Sequence, residues 1–204
     1  MKTVAARSSA LRAAAGIVAA TAIVLLVACK GSGSDDSSSV LPCTNISFTR
    51  ALTTSPANGD VYFAPLSGTC TSNDVAVNIA NLAGIYTVGF DFTYPASLVA
   101  YQSYSLGPLL KKGSPAIPAF VLVQSPSPGL VQATMSLLAP DPSVSAVGSE
   151  VLITFHFTKV ASGSGIIDFN SSPSSLVSEQ VLDQSGAVLP ASFGPGHGGT
   201  VLVP

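Results

Sequence analysis

Few residues of this chain have the chemistry that an enzyme needs, and they do not form a known catalytic motif. The 204 residues include two histidines, His156 and His197, that lie far apart in the sequence. The chain has no Gly-x-Ser-x-Gly nucleophile elbow, no His-Glu-x-x-His zinc motif and no glycine-rich phosphate loop. Asp91 stands between Phe90 and Phe92 and is expected to be a solvent-facing strand residue. We therefore expect no catalytic residues, with paired carboxylates for glycoside hydrolysis left as the open alternative.

The two histidines have non-catalytic interpretations. Strand parity places His156 on the outward side among threonines, with no acidic neighbour in the pattern, which favours a surface residue. His197 stands in Gly-Pro-Gly-His-Gly-Gly, which is typical of a loop without a specific role. Two cysteines and two distant histidines do not make a metal cluster, so we expect neither a metal nor a cofactor.

The N-terminal segment has the order of features found in an export signal. Three basic residues come first: Lys2, Arg7 and Arg12. The uncharged apolar run over 13–28 is short for a membrane span and suits a signal peptide. The run ends in Leu-Val-Ala-Cys, which resembles the bacterial lipobox and implies that Cys29 is lipidated and becomes the mature N-terminus. An ordinary transmembrane helix and a plain secretory signal are the alternatives.

The chain after Cys29 is polar and flexible in composition. Residues 30–39 read K-G-S-G-S-D-D-S-S-S, which is typical of a linker. We expect a signal peptide over 1–28 and a lipidated cysteine with its tether over 29–41. The protein would then be anchored by lipid in the cell envelope, at the outer membrane or cell surface, with its domain outside the cytoplasm.

The two remaining cysteines, Cys43 and Cys70, predict a disulfide. They are an even number in an exported, oxidising setting. Two independent free thiols are the alternative. The segment 42–71 is either an N-terminal strand pair of the domain or an irregular cap held by this bond.

The composition favours a β-rich globular domain that does not bind nucleic acid. Charged residues make up 9% and hydrophobic residues 47% of the chain, which excludes a disordered protein. Of eight Lys and Arg, three precede the apolar run, so five remain against ten Asp and Glu. An acidic balance without a basic patch gives nucleic-acid binding no electrostatic support.

Alternation with period two runs through the chain after residue 42. Apolar residues alternate with polar ones in four segments, around Val75, Phe90, Met135 and Phe155. Glycine- and proline-rich turns separate the segments, and no amphipathic helix of normal length follows the signal segment. The pattern predicts an all-β, two-sheet jelly-roll sandwich of about nine strands, preceded by the signal-peptide helix. Residues 200–203 are expected either in a tail or in a final strand.

The order of these segments resembles the cohesin family over residues 72–204. The segments that carry the resemblance are Gly84–Tyr94, Ala96–Val99, Ser105–Leu110, Gly148–Phe155, Ile166–Phe169 and Gly199–Val203. One departure is Pro95-Ala96 where the family usually has Asp-Pro after the tyrosine. The resemblance implies a cohesin-like sandwich, related to carbohydrate-binding modules, and a partner such as a dockerin, the calcium-loop module of cellulosomal enzymes.

In that family the dockerin lies across one sheet face, and this chain has polar residues at the matching outward positions. The predicted partner-binding residues are Thr87, Asp91, Thr93, Gln132, Thr134, Ser136, Thr154, His156 and Thr158. A flat surface of hydroxyls with an amide, a carboxylate and an imidazole suits hydrogen bonding to a protein. Threonine also favours strands by itself, so an ordinary solvated sheet face is the alternative.

Three functions compete at this point. The leading hypothesis is a non-catalytic, surface-anchored module that holds an extracellular, dockerin-like protein, as part of polysaccharide degradation. The second is a carbohydrate-binding module, which the absence of tryptophan weakens. The third is a structural lipoprotein without a dedicated ligand.

Overall fold

The computed structural model describes residues 43–112, 120–170, 179–194 and 196–204. The predicted signal-peptide helix, the lipobox cysteine Cys29 and the tether lie outside these residues. No helix in the described part of the chain is long and apolar enough to cross a membrane.

The described residues form eleven strands and one short 3-10 helix, Leu109–Lys112. The strands are β1 (Ser47–Arg50), β2 (Val61–Gly68), β3 (Ser72–Ala80), β4 (Thr87–Thr93), β5 (Val99–Leu106), β6 (Phe120–Ser127), β7 (Leu130–Ser136), β8 (Ser149–Lys159), β9 (Gly163–Phe169), β10 (Gln180–Leu182) and β11 (Gly199–Val203). The sequence predicted about nine strands. The excess arises from β1 and β10, which have four and three residues and are too short for a clear period-two signal.

The strands form two antiparallel sheets, so the predicted all-β sandwich is confirmed. The larger sheet has the order β1-β11-β9-β4-β7-β6, with β10 paired to β4 beyond the end of β9. The smaller sheet has the order β2-β3-β8-β5. The segment 42–71 contributes β1 to the larger sheet and β2 to the smaller one, and residues 200–203 belong to a final strand, β11.

Phenylalanine rings from both sheets meet in the core, as the alternation of apolar and polar residues predicted. Phe90, Met135 and Phe155 are fully buried. The Phe92 ring lies 5.2 Å from the Phe63 ring and 4.7 Å from the Phe155 ring, which joins β4 of one sheet to β2 and β8 of the other. Burial of several such rings removes a large apolar area from water and fixes how the sheets pack.

The predicted disulfide between Cys43 and Cys70 is confirmed. Their Cα atoms are 5.7 Å apart, within the span of a disulfide. The bond joins the chain ahead of β1 to the turn between β2 and β3, and therefore links strands of different sheets.

Candidate functional site

Six of the nine predicted partner-binding residues lie together on the outer face of the larger sheet. Three are on β4 and three on the neighbouring strand β7: Thr87, Asp91, Thr93, Gln132, Thr134 and Ser136. The antiparallel register sets Thr87 opposite Ser136 and Asp91 opposite Gln132. The Thr87 and Ser136 hydroxyls are 2.8 Å apart and hydrogen-bonded.

The other three predicted residues, Thr154, His156 and Thr158, lie on β8 in the smaller sheet. They face the opposite side of the sandwich, so the expectation of one surface containing all nine was wrong. Period two shows which side of its own sheet a residue occupies. It does not show to which sheet the strand belongs, because that depends on pairing between segments distant in sequence.

Asp91 is fully buried, which corrects the expectation of a solvent-facing carboxylate. The Asn170 side chain donates a hydrogen bond to Asp91 Oδ2 at 3.3 Å, and the Asn170 backbone N–H donates to the Asp91 carbonyl at 2.9 Å. The chain around Asn170 thus covers an outward-pointing side chain on the central strand. Gln132 and Thr154 are also buried rather than solvated.

A cluster of acidic residues lies beside Asp91. Burial, together with the nearby carboxylates of Asp91 and Asp168, raises the pKa of Glu179 from 4.5 to about 6. Glu179 immediately precedes β10, whose Gln180 pairs with Gly89 on β4. Pairing of β10 with β4 therefore places a third carboxylate near two others, which the sequence did not indicate.

The exposed part of this outer face includes two large apolar side chains on the edge strand β6. Phe120 and Leu122 are 51% and 46% exposed and stand opposite Ser136 and Thr134 on β7. A shallow depression beside them is lined by Leu122, Gln124, Gln132 and Thr134. Sequence reasoning missed Phe120 and Leu122, because Phe-Val-Leu-Val is apolar throughout and has no alternation that would show which side faces solvent.

His156 has an acidic neighbour, contrary to the expectation from its flanking threonines. Its Nδ1 lies 2.7 Å from Asp74 Oδ1 and its Nε2 lies 3.2 Å from Ser105 Oγ. Nearby, the Gln102 side chain donates a hydrogen bond to Thr158 Oγ1 at 3.0 Å. Asp74 stands opposite His156 in the register of β3 and β8, a pairing that the parity of β8 alone does not reveal.

His197 lies in the loop before β11, as expected, but it is buried and makes specific contacts. Its Nδ1 lies 2.8 Å from the Gly194 carbonyl, and its Nε2 lies 3.3 Å from a carboxylate oxygen of Asp60. These contacts tie the turn before β11 to the start of β2. Among the described residues, no three His, Cys, Asp or Glu side chains are grouped closely enough to hold a metal ion.

No family model matches the chain, and no curated protein matches it. Solved structures of cohesin domains do. A cohesin of Clostridium acetobutylicum determined in solution is 18% identical with a TM-score of 0.53, over 71% of this chain and 89% of that one. A type II cohesin from the cellulosome of Acetivibrio cellulolyticus is 10% identical with a TM-score of 0.52, and the match covers 72% of this chain and 94% of that one.

The sixth cohesin of scaffoldin B from Acetivibrio cellulolyticus, solved in complex with a mutant dockerin, is 16% identical with a TM-score of 0.51. The match covers 67% of this chain and 94% of that one. At such identities the similarity is one of fold. The domain is a cohesin-like β-sandwich, as the order of its sequence segments indicated.

Proposed function

We propose that the domain is a protein-binding module that holds an extracellular, dockerin-like partner on the outer face of its larger sheet. We call this surface the partner face and define it by its accessible residues: Thr87, Thr93, Phe120, Leu122, Thr134 and Ser136. Asp91 and Gln132 lie beneath it and support it rather than contact a partner, because both are buried.

The observation that carries the proposal is the combination of exposed apolar side chains and partly exposed hydroxyl groups on this face. Phe120 and Leu122 stand directly beside Ser136 and Thr134 on a paired strand. Protein interfaces are enriched in aromatic side chains at their centre and need hydrogen-bonding groups around them. A binding role needs no reacting group on this face.

The solved cohesins with this fold support the nature of the partner. One of them was crystallised with a dockerin. Fold alone does not fix a ligand, so the partner is argued from the face and from the fold together.

Carbohydrate binding is the weaker alternative. Sugar-binding sandwiches present aromatic rings in a plane, and this chain has no Trp and five Tyr. Of these tyrosines only Tyr104 is strongly exposed, at 38%, and it lies on β5 of the smaller sheet. The other exposed ring, Phe120, lies on β6 of the larger sheet, so the two rings do not form one platform for a polysaccharide.

We also propose that the module is held at the cell envelope by lipid on Cys29, and that it serves in the breakdown of polysaccharide outside the cell. The lipobox-like sequence and the polar linker after it support anchoring. Several acyl chains at one N-terminus anchor far more firmly than a single chain, since each buried CH₂ contributes about 0.8 kcal/mol.

The binding proposal is tested by isothermal titration calorimetry of the full chain against a panel of calcium-loaded dockerin modules. Leu122→Arg places a charge among the exposed apolar side chains of the partner face, and we expect it to weaken a detected complex at least about tenfold. Gln102→Arg makes the same change at an exposed site on the opposite sheet and should leave affinity unchanged. Failure of the whole panel to bind, or equal weakening by both variants, would contradict the proposal, whereas retardation in polysaccharide gels would favour the alternative.

A further inference from the structure

A row of four hydrogen-bonded side chains crosses the outer face of the smaller sheet, on the side opposite the partner face. Each strand of the order β2-β3-β8-β5 contributes one residue: Ser67, Asp74, His156 and Ser105. Ser67 Oγ donates to Asp74 Oδ2 at 2.8 Å, Asp74 Oδ1 lies 2.7 Å from His156 Nδ1, and His156 Nε2 lies 3.2 Å from Ser105 Oγ. Carboxylate, imidazole and hydroxyl therefore stand in line.

The carboxylate at one end of the row fixes the form of the imidazole. Although partial burial acts to raise it, hydrogen bonds from His156 and Ser67 hold the pKa of Asp74 below its ordinary value of 3.8. An ionised carboxylate only accepts, so His156 Nδ1 must carry the proton in their hydrogen bond. In the neutral ring Nε2 is then free to accept the proton of Ser105 Oγ–H.

The hydroxyl at the other end of the row is open to solvent. Ser105 is exposed, whereas His156 and Asp74 are partly buried behind it. It lies on β5, which pairs only with β8 among the described strands. An edge strand leaves alternate backbone N–H groups unpaired, and backbone N–H groups are one class of donor that stabilises an oxyanion.

We propose that Ser105 is a nucleophile, with His156 as its general base and Asp74 as the residue that positions His156, and that it takes an acyl group from a carboxylic ester. A hydroxyl in contact with a base that a third group orients is the arrangement by which serine is activated. This inference concerns a different face and a different chemistry from the proposed partner binding and does not depend on it.

The proposed step is balanced by groups of this row and by water. Ser105 Oγ attacks the ester carbonyl carbon while its proton passes to His156 Nε2. The bond from the carbonyl carbon to the alcohol oxygen breaks, and the leaving alkoxide takes the proton from His156. Water, deprotonated by His156, then attacks the acyl carbon. The bond from this carbon to Ser105 Oγ breaks, the acyl group leaves as the carboxylic acid, and His156 returns the proton to Ser105 Oγ.

The test uses p-nitrophenyl acetate with the full chain. Release of p-nitrophenolate gives the rate, and mass spectrometry of peptides locates the acetyl group. We expect acetyl on Ser105, and we expect Ser105→Ala and His156→Gln each to lower the rate at least about tenfold, as is usual for loss of a nucleophile or general base. Ser103→Ala is the matched control, because Ser103 is also exposed on β5 and should leave the rate unchanged.

The positioning role of Asp74 is tested separately. Asp74→Asn should lower the rate and Asp74→Glu should restore part of it, with thermal unfolding showing that both variants are folded. If His156→Gln does not fold, the comparison of Ser105→Ala with Ser103→Ala tests the proposal, because both positions are solvent-exposed and both variants should fold. Absence of acetyl from Ser105 in samples quenched with acid during turnover, or acetylation that proceeds at the same rate in His156→Gln or in the urea-unfolded chain, would overturn the proposal.

Discussion

At the scale of single residues, neighbours decide how each carboxylate behaves. Asp74 receives hydrogen bonds from Ser67 and His156, and its pKa is lowered. Glu179 is partly buried and has two carboxylates nearby, and its pKa is raised to about 6. The difference arises because burial and like charges dominate at Glu179, whereas hydrogen bonds to the carboxylate outweigh partial burial at Asp74.

The raised pKa of Glu179 predicts a pH dependence of stability. Its folded-state pKa of about 6 exceeds the unfolded value of 4.5. Between these pH values the unfolded chain has lost a proton that the folded chain keeps, so the free energy of unfolding falls as pH rises through this window. In urea denaturation series at pH 4 to 7, Glu179→Gln should show a flatter profile, by about 1 kcal/mol after allowance for solvent screening.

Glu150 provides a control, because its pKa is shifted in the direction opposite to that of Glu179. Hydrogen bonds from Lys112 and from the Val147 backbone lower the pKa of Glu150 below 4.5. Its contribution to stability is present above pH 4.5 and is lost as pH falls further. Glu150→Gln should therefore lower stability by a constant amount above pH 4.5 and change the slope of the profile only in that acid range. A Glu179→Gln profile parallel to that of the wild type between pH 4.5 and 6 would contradict the assignment.

At the scale of elements, the N-terminal strand β1 depends on a covalent link. It is an edge strand of the larger sheet, has four residues and, among the described strands, pairs with β11 alone. The disulfide between Cys43 and Cys70, 27 residues apart, closes the loop that contains β1. Chain-entropy arguments give such a closure about 3–4 kcal/mol.

We therefore expect the double variant Cys43→Ala/Cys70→Ala to unfold with a free energy lower by about 3 kcal/mol in urea. Amide hydrogens of β1 should also exchange faster, since this edge strand is then held by one neighbouring strand only. Wild-type protein treated with reductant is the matched control and should behave in the same way. Equal stability of the oxidised protein and the double variant would show that the bond does not restrain the unfolded chain.

The sequence predicted these elements best where polar and apolar residues alternate strictly. Around Val75, Phe90 and Phe155 the alternation gave strand type and core side correctly, because half-buried strands have period two. For Phe120 and Leu122 the sequence did not show which side of β6 faces solvent, because the run is apolar throughout. For His156 and Thr158 the side was right but the sheet was wrong, because sheet membership arises from pairing between residues such as Asp74 and His156, 82 positions apart.

At the scale of the whole molecule, the two outer faces are chemically different. The larger sheet presents Phe120 and Leu122 beside hydroxyl groups, whereas the smaller sheet presents the polar row from Ser67 to Ser105. The burial of Asp91 could not be read from its own strand, since Asn170 follows β9 and comes back over β4. The acidic cluster and the polar row are therefore products of tertiary structure.

The proposed lipid anchor is also tested on the whole chain. Wild-type protein expressed in a bacterium should partition with the membrane fraction and into detergent, and its mature N-terminal peptide should carry acyl chains on Cys29 by mass spectrometry. Cys29→Ser removes the only thiol that the lipobox-like sequence offers, so this variant should lose the acyl chains. Acyl-free wild-type protein would show that the first segment is a plain secretory signal or a membrane span.

The cross-link between Cys43 and Cys70 also determines how the domain responds to mechanical load. Tension applied to the chain ahead of Cys43 passes through the sulfur atoms to Cys70 and into β3, the strand paired with both β2 and β8. The residues between the two cysteines, which include β1, carry none of this tension. A four-residue strand that a pull along the chain would otherwise peel from β11 is thus shielded, and the force acts instead on the best-paired part of the smaller sheet.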